Sequence, residues 1–142
     1  MNSQKTVLVF GTFDRLHHGH RNFFRQAAKL GKVTAVVARD KNIQKIKKRL
    51  PLENEHIRLT HVTHNSNIIH AQLGDHSDFL KPIREINPEI IALGFDQKTF
   101  TIPKLKLSLK KIGLTPKIIR LKSFQPQKFK SSIFRYSDLY LK

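Results

Sequence analysis

The stretch VLVFGTFDRLHHGHRNFFRQAAKLG, Val7 to Gly31, constrains this chain most. Val-Leu-Val-Phe is a short unbroken apolar run with β-branched residues, closed by Gly11, which is the pattern of a parallel strand covered on both faces. Phe23, Phe24, Ala27, Ala28 and Leu30 then recur at helical spacing, with Arg21, Arg25 and Lys29 between them. Gly31 stands where a helix closes on a left-handed residue. Strand, tight loop and helix in this order predict a parallel α/β sheet, which offers ligands the carboxyl ends of its strands. The loop holds Thr12, Asp14 and the histidines His17, His18 and His20 around Gly19. Histidines gathered so closely, with a glycine that lets backbone approach, point to a binding or catalytic loop. A metal site is the rival reading, but no cysteine and few nearby carboxylates complete a tetrahedral set.

The remainder alternates in the same way. Lys32 to Ala38 reads as a second strand, and Lys41 to Leu50 as a polar, basic segment closed by Pro51. A short helix is expected over Glu53 to Thr63 and a third strand over Ile68 to Leu73. Ser77 to Ile86 reads as a helix with Ser77 as N-cap and Pro82 in its first turns. Glu89 to Leu93 is a fourth strand, followed by the turn Gly94-Phe95-Asp96-Gln97. A basic helix from Ile102 to Ile112 ends at Gly113. A fifth strand over Lys117 to Leu121 and a last helix over Ser131 to Leu141 complete the series. The pattern implies an α/β chain, a single domain over residues 1–142 with a doubly wound, mainly parallel sheet.

Charge is the unusual bulk property. Lys plus Arg number 27 against 10 Asp plus Glu, a net charge of +17, and the excess crowds Lys41–Arg49, Lys104–Lys111 and Lys117–Lys130. Such a surface attracts nucleotides, phosphorylated substrates, nucleic acid or anionic lipid, although a solvated face is the plainer reading of the 104–111 run. The absence of cysteine excludes disulfides, thiolate metal sites and thiol catalysis together. No apolar run approaches ~18 residues, and Val7 arrives too early for a secretory leader, so a cytoplasmic protein with no membrane association is expected.

GTFDRLHHGH resembles the G-T-F-D-x-L-H-x-G-H signature of the cytidylyltransferase-like nucleotidyltransferases, with His17, Gly19 and His20 as its H-x-G-H and His18 at the variable position. VARDKNIQKIKKRLP, then Arg58, LGD and INPEIIALGFDQKTF resemble archaeal-type FAD synthases, which adenylylate FMN. Glycerol-3-phosphate cytidylyltransferases share the opening motif but carry R-T-x-G-I-S-T-T near the end, where this chain reads RLKSFQPQKFKSSIF. The resemblance implies a Rossmann-like nucleotidyltransferase fold and transfer of AMP from ATP to FMN, giving FAD and pyrophosphate. Two alternatives stand beside it: a cytidylyltransferase using CTP and a polyol phosphate such as glycerol 3-phosphate, and a basic nucleic-acid-binding module on the same fold. A homodimer is left open.

The chemistry assigns roles to residues. A phosphate monoester, with its second pKa of about 6, is already mostly a dianion at pH 7 and needs no general base. Such a reaction needs in-line positioning and compensation of charge on the phosphorus centre and the departing pyrophosphate. His17 and His20 can donate to those oxygens at a helix N-terminus, with His18 beside them. Gly11, Thr12 and Phe13 would line the α-phosphate and ribose. Lys45 and catalytic Lys47 fit as cationic arms for the triphosphate, with Arg58 as a further one. Mg²⁺ would arrive on phosphate oxygens, with Asp14 near it as an outer ligand. The resemblance sets Gly94, Asp96 and Gln97 against the nucleotide and Phe124 near the adenine. Ser131 and Ser132 head the last helix as an anion site. An ordinary turn for Asp96, core packing for Phe124 and plain N-capping for the serines are the rival readings.

Overall fold

A computed structural model describes residues 4–97 and 101–122. Its elements are β1 (Thr6–Gly11), α1 (His18–Ala28), β2 (Lys32–Val37), α2 (Asp40–Lys47), α3 (Glu55–Thr63), β3 (Ile68–Leu73), α4 (Leu80–Ile86), β4 (Ile90–Leu93), α5 (Ile102–Lys111) and β5 (Lys117–Arg120). The five strands form one sheet in the order β3-β2-β1-β4-β5. Every pairing is parallel, with Val7 opposite Val33 on one side of β1 and Ile90 on the other. The α/β reading of the sequence is therefore correct. The strand order reverses at β1, between β2 and β4, and the crevice above such a reversal is where open α/β sheets bind ligands.

Residue alternation explains why β1 is apolar throughout. Val7 and Val9 pack with Val33, Ala35, Val37, Phe24 and Ala27 of α1 and Val62 of α3 on one face. Leu8 and Phe10 pack with Ile91, Leu93, Ile83 of α4 and Leu105 and Leu109 of α5 on the other. A strand with helices over both faces has no side for polar residues.

Three local features differ from the sequence reading. The basic segment after β2 is a helix, α2, with Asp40 in its first turn and Ile43 as its buried anchor, ending at Lys48 in the left-handed conformation (φ 63°). Two apolar residues in eight, Ile43 and the exposed Ile46, leave too weak a period to recognise. The helix expected from Ser77 begins only at Leu80. Asp75 takes the amide of Ser77 (3.0 Å) and that of Asp78 (2.8 Å), and Asp78 takes that of Leu80 (3.0 Å), so successive carboxylate turns occupy the capping stretch. Pro82 falls at the third helical position, where its missing N–H has no intrahelical partner to lose. α1 ends at Ala28, with Lys29 as its C-cap, and Gly31 (φ 159°) lies outside the left-handed helical region. Glycine is still required there, because a Cβ would land on the Lys5 carbonyl oxygen, which accepts from the Lys32 amide at 2.8 Å. The expected helix over 131–141 lies outside the described residues.

Two glycines give a paired test. Gly113 has φ 82° and nothing within 4 Å of an added Cβ, so Gly113→Ala should cost about 1–2 kcal/mol through backbone strain alone. Gly31→Ala must move the Lys5 backbone, and should cost about 3 kcal/mol or more. Urea midpoints of the two variants measure the difference, and equal midpoints would contradict the close approach at Gly31.

Candidate active site at the carboxyl edge of the sheet

The loop from β1 to α1 turns twice through positive φ, at Phe13 (54°) and Arg15 (51°). Neither is a glycine, so packing has to offset the strain. The Phe13 ring is buried against Phe24 (centroids 5.0 Å) and meets His20 edge-on (5.7 Å). The Asp14 carboxylate accepts from the amides of Leu52 (2.8 Å) and Glu53 (2.9 Å), and Glu53 returns an oxygen to the Arg15 amide (2.8 Å). The loop is thereby stitched to the segment that leads into α3.

Beneath it sits Arg58, the one charged residue of the described chain classed as buried, at 0% exposure. Its guanidinium donates to the Thr12 carbonyl (2.8 Å), the Glu53 carbonyl (3.0 Å) and the Asp40 carboxylate (2.6 Å). Asp40 and Glu55 exchange backbone bonds: each carboxylate accepts from the other residue's amide. Glu55 also pairs with Arg39 (3.1 Å), whose Nε donates to the Gly74 carbonyl (2.8 Å). The Glu55 carboxyl is held below its usual range, first by the Asp40 amide and further by Arg39. One polar network thus joins the loop after β1 to α2, α3 and the end of β3. The reading of Arg58 as a triphosphate arm is corrected: every donor direction it uses points inward.

His17 is the N-cap of α1, its Nδ1 accepting from the amides of Gly19 (2.8 Å) and His20 (3.4 Å). With Nδ1 an acceptor, the neutral ring carries its proton on Nε2. A Cβ on Gly19 would stand 2.7 Å from Cε1 of His17, so this glycine makes room for the ring. His20 stacks on His17 at 4.2 Å with the planes 9° apart. Burial pushes His17 down to about 4, with His18 and Arg21 adding to the shift against its backbone hydrogen bond. Burial pushes His20 further, to about 3, with His17 and Arg21 adding to it. Both imidazoles are neutral at pH 7. They can donate hydrogen bonds there without carrying charge.

Lys47 closes α2 as an exposed residue, within electrostatic reach of both Asp14 and Asp96. Partial desolvation lowers its ammonium pKa, Arg49 and Arg58 add to that, and the carboxylates of Asp14 and Asp96 pull the other way. Lys45 is exposed on the same helix. Beyond β4, Gln97 folds back, its Oε1 accepting from the Gly94 amide (2.8 Å) and its Nε2 donating to the Phe10 carbonyl (2.7 Å). Its side chain is a brace between strands, while Asp96 is half-buried in the turn. An open groove of about 680 Å³ also borders His17 and Asp14, but it runs toward His61 and His64 and touches neither Lys47 nor Asp96.

The structure thus sets Gly11, Thr12, Phe13, Asp14, His17, His18, Gly19 and His20 along one stretch from the end of β1 to the first turn of α1, with Lys47 and Asp96 within electrostatic reach of each other beside it. Phe124, Ser131 and Ser132 lie outside the described residues. Among the described residues no group of three His, Asp or Glu side chains comes together as a metal ion requires, and Asp14 spends both oxygens on backbone amides. Sequence reasoning missed Arg39, Asp40, Glu55 and Arg120, whose contacts join distant segments.

A parallel sheet with a histidine loop at its reversal point defines the class. The chain belongs to the cytidylyltransferase-like family, whose pattern matches residues 8–136. More narrowly, it belongs with the FAD synthases of archaea. It is 41% identical to the FAD synthase of Methanobrevibacter smithii, over 90% of this chain and 86% of that one. It is 39% identical to the FAD synthase of Archaeoglobus profundus, over 89% and 80%. Its fold is similar to the crystal structure of the lipopolysaccharide core biosynthesis protein from Thermoplasma volcanium. That match has a TM-score of 0.81 at 33% identity and covers 87% of this chain and all of the other. Among the described residues no helix is long and apolar enough to cross a membrane.

Replacing Arg58 by methionine leaves the Asp40 carboxylate and the Thr12 carbonyl without their cation. Arg58→Met should cost about 3 kcal/mol of stability, read from urea unfolding. A variant of wild-type stability whose only defect is weak ATP binding would restore Arg58 to the phosphate arms.

Proposed function

We propose that the chain, as one cytoplasmic nucleotidyltransferase domain over 1–142, transfers AMP from ATP to FMN. A phosphate oxygen of FMN attacks the α-phosphorus of ATP, the bond to the bridging β-oxygen breaks, and its electron pair leaves with pyrophosphate. The observation that carries the reading is the pair of neutral, stacked imidazoles at the N-terminus of α1, held as hydrogen-bond donors where phosphate oxygens would collect charge. No proton has to be taken from the attacking phosphate, so bases held at about 4 and about 3 are no handicap. His17 and His20 stabilise the phosphorus centre and leaving group, and the Gly11–Phe13 backbone borders the α-phosphate. Lys47 is the cation for the triphosphate, with Lys45 behind it. Asp96 accepts from the ribose or adenine, and Phe124, Ser131 and Ser132 complete the nucleotide side. ATP binds as its Mg²⁺ complex, the ion entering as part of the substrate.

Three measurements test this. Incubation with ATP and FMN should yield FAD and pyrophosphate, whereas turnover of CTP with glycerol 3-phosphate in place of that reaction would favour a cytidylyltransferase. His17→Ala should lower kcat by about 10²–10³ with a much smaller change in KM, as expected for a donor that acts in the transition state. Because both histidines stay neutral above pH 5, wild-type kcat should rise to about pH 7 as the FMN phosphate ionises and then hold level. A steep fall between pH 6 and 8 would require imidazolium and overturn the assignment.

A further inference from the structure

The turn after β4 contributes nothing to either half of the core, and Phe95 within it is 50% exposed. Among the described residues, polar contacts give it shape. Gln97 ties it to the end of β1, as described, and the Gln97 amide donates to the Gly94 carbonyl (3.1 Å). The remaining support comes from the neighbouring strand. Arg120, the last residue of β5, donates through Nη1 to the Gly94 carbonyl (2.9 Å) and to the Gln97 carbonyl (2.8 Å). Those two carbonyls bracket the Phe95-Asp96 dipeptide. A single guanidinium nitrogen therefore holds both feet of the turn, with its two hydrogens directed to two acceptors.

We infer that Arg120 is a positioning residue for nucleotide binding, acting through the Gly94–Gln97 turn to fix where the Asp96 carboxylate stands. This deepens the proposed function and rests on its reading of Asp96 as a nucleotide contact. Asp96 stands close enough to Lys47 to act on its ammonium together with Asp14, against Arg49 and Arg58. Displacing the turn would therefore disturb a carboxylate and a cation on the same substrate. Arg120 differs from Lys47 in kind: its Nη1 is spent on protein carbonyls, and its effect has to pass through Asp96.

A double-mutant cycle on the full chain tests this, with KM for ATP and for FMN measured separately. Arg120→Met should raise KM for ATP about tenfold, with KM for FMN, kcat and the unfolding midpoint little changed. Arg120→Lys, which keeps a multivalent donor, should recover part of the loss and serves if the methionine variant folds poorly. Asp96→Asn should raise KM for ATP by itself, and the double variant Arg120→Met/Asp96→Asn should be no worse than Asp96→Asn. Multiplied effects would mean that Arg120 acts independently of Asp96, and the inference would fall while the nucleotide reading stood. An unchanged KM in Asp96→Asn would instead remove the nucleotide reading of the turn, and the role of Arg120 with it.

Discussion

The buried guanidinium of Arg58 is the contact on which the rest of the site depends. Taking a full charge out of water costs several kcal/mol unless the interior replaces its solvation. Here two backbone carbonyls and a carboxylate do so at 2.6–3.0 Å. The three acceptors belong to the loop after β1, the segment before α3 and the first turn of α2. None of these has an extensive apolar face of its own: α2 buries Ile43 alone. The guanidinium substitutes for a core where the chain must stay polar to meet a substrate. Two non-glycine residues at positive φ persist in the loop because Thr12 is tied below them and the Phe13 ring is packed beside them.

Charge is arranged in two layers over this framework. The outer layer is the basic surface, an excess of 27 cationic over 10 anionic side chains, which acts at a distance and is screened within about 8 Å at physiological salt. The inner layer is short of cations. His17 and His20 are desolvated to neutrality, and Lys47 is tempered by its surroundings while Asp14 and Asp96 hold it charged. In the proposed reaction the outer field would gather phosphorylated molecules, and the inner dipoles would respond to charge that moves between phosphate oxygens. Neutral donors suit that second task, since they do not over-stabilise a ground state that already carries the same total charge.

The sequence made the layers of the fold legible because parallel strands covered on both faces are apolar in unbroken runs, as in Val7–Phe10 and Ile90–Leu93. The histidine loop was legible because His17, Gly19 and His20 are adjacent in the chain, and the clash expected at Gly19 is a local one. What was not legible depends on partners far away in sequence. Arg58 reads as any helical arginine until Thr12, 46 positions back, is seen to accept from it. Gly31 looks like a helix cap until the Lys5 carbonyl is found against it. Ser77 looks like an N-cap until Asp75 is seen to take the amides of Ser77 and Asp78, and Asp78 that of Leu80. Gln97 resembles a ligand contact by its place after the strand, yet its amide spans two strands.

The two sides of the crevice are fixed by the same device in different settings. On the β2–β3 side a buried arginine collects acceptors from three segments. On the β4–β5 side an arginine at the sheet edge collects two carbonyls of one turn. A loop that must present polar groups cannot be held by apolar burial without losing the access that binding needs, and backbone carbonyls are the acceptors such a loop has to spare. Arginine, with five donors in a fixed plane, can take several of them without closing the site. The β1–α1 loop stands between these braces, where both ends of an in-line displacement would have to be aligned. Movement of either brace would shift the polar groups on its side of the crevice relative to the histidines before it changed the histidines themselves.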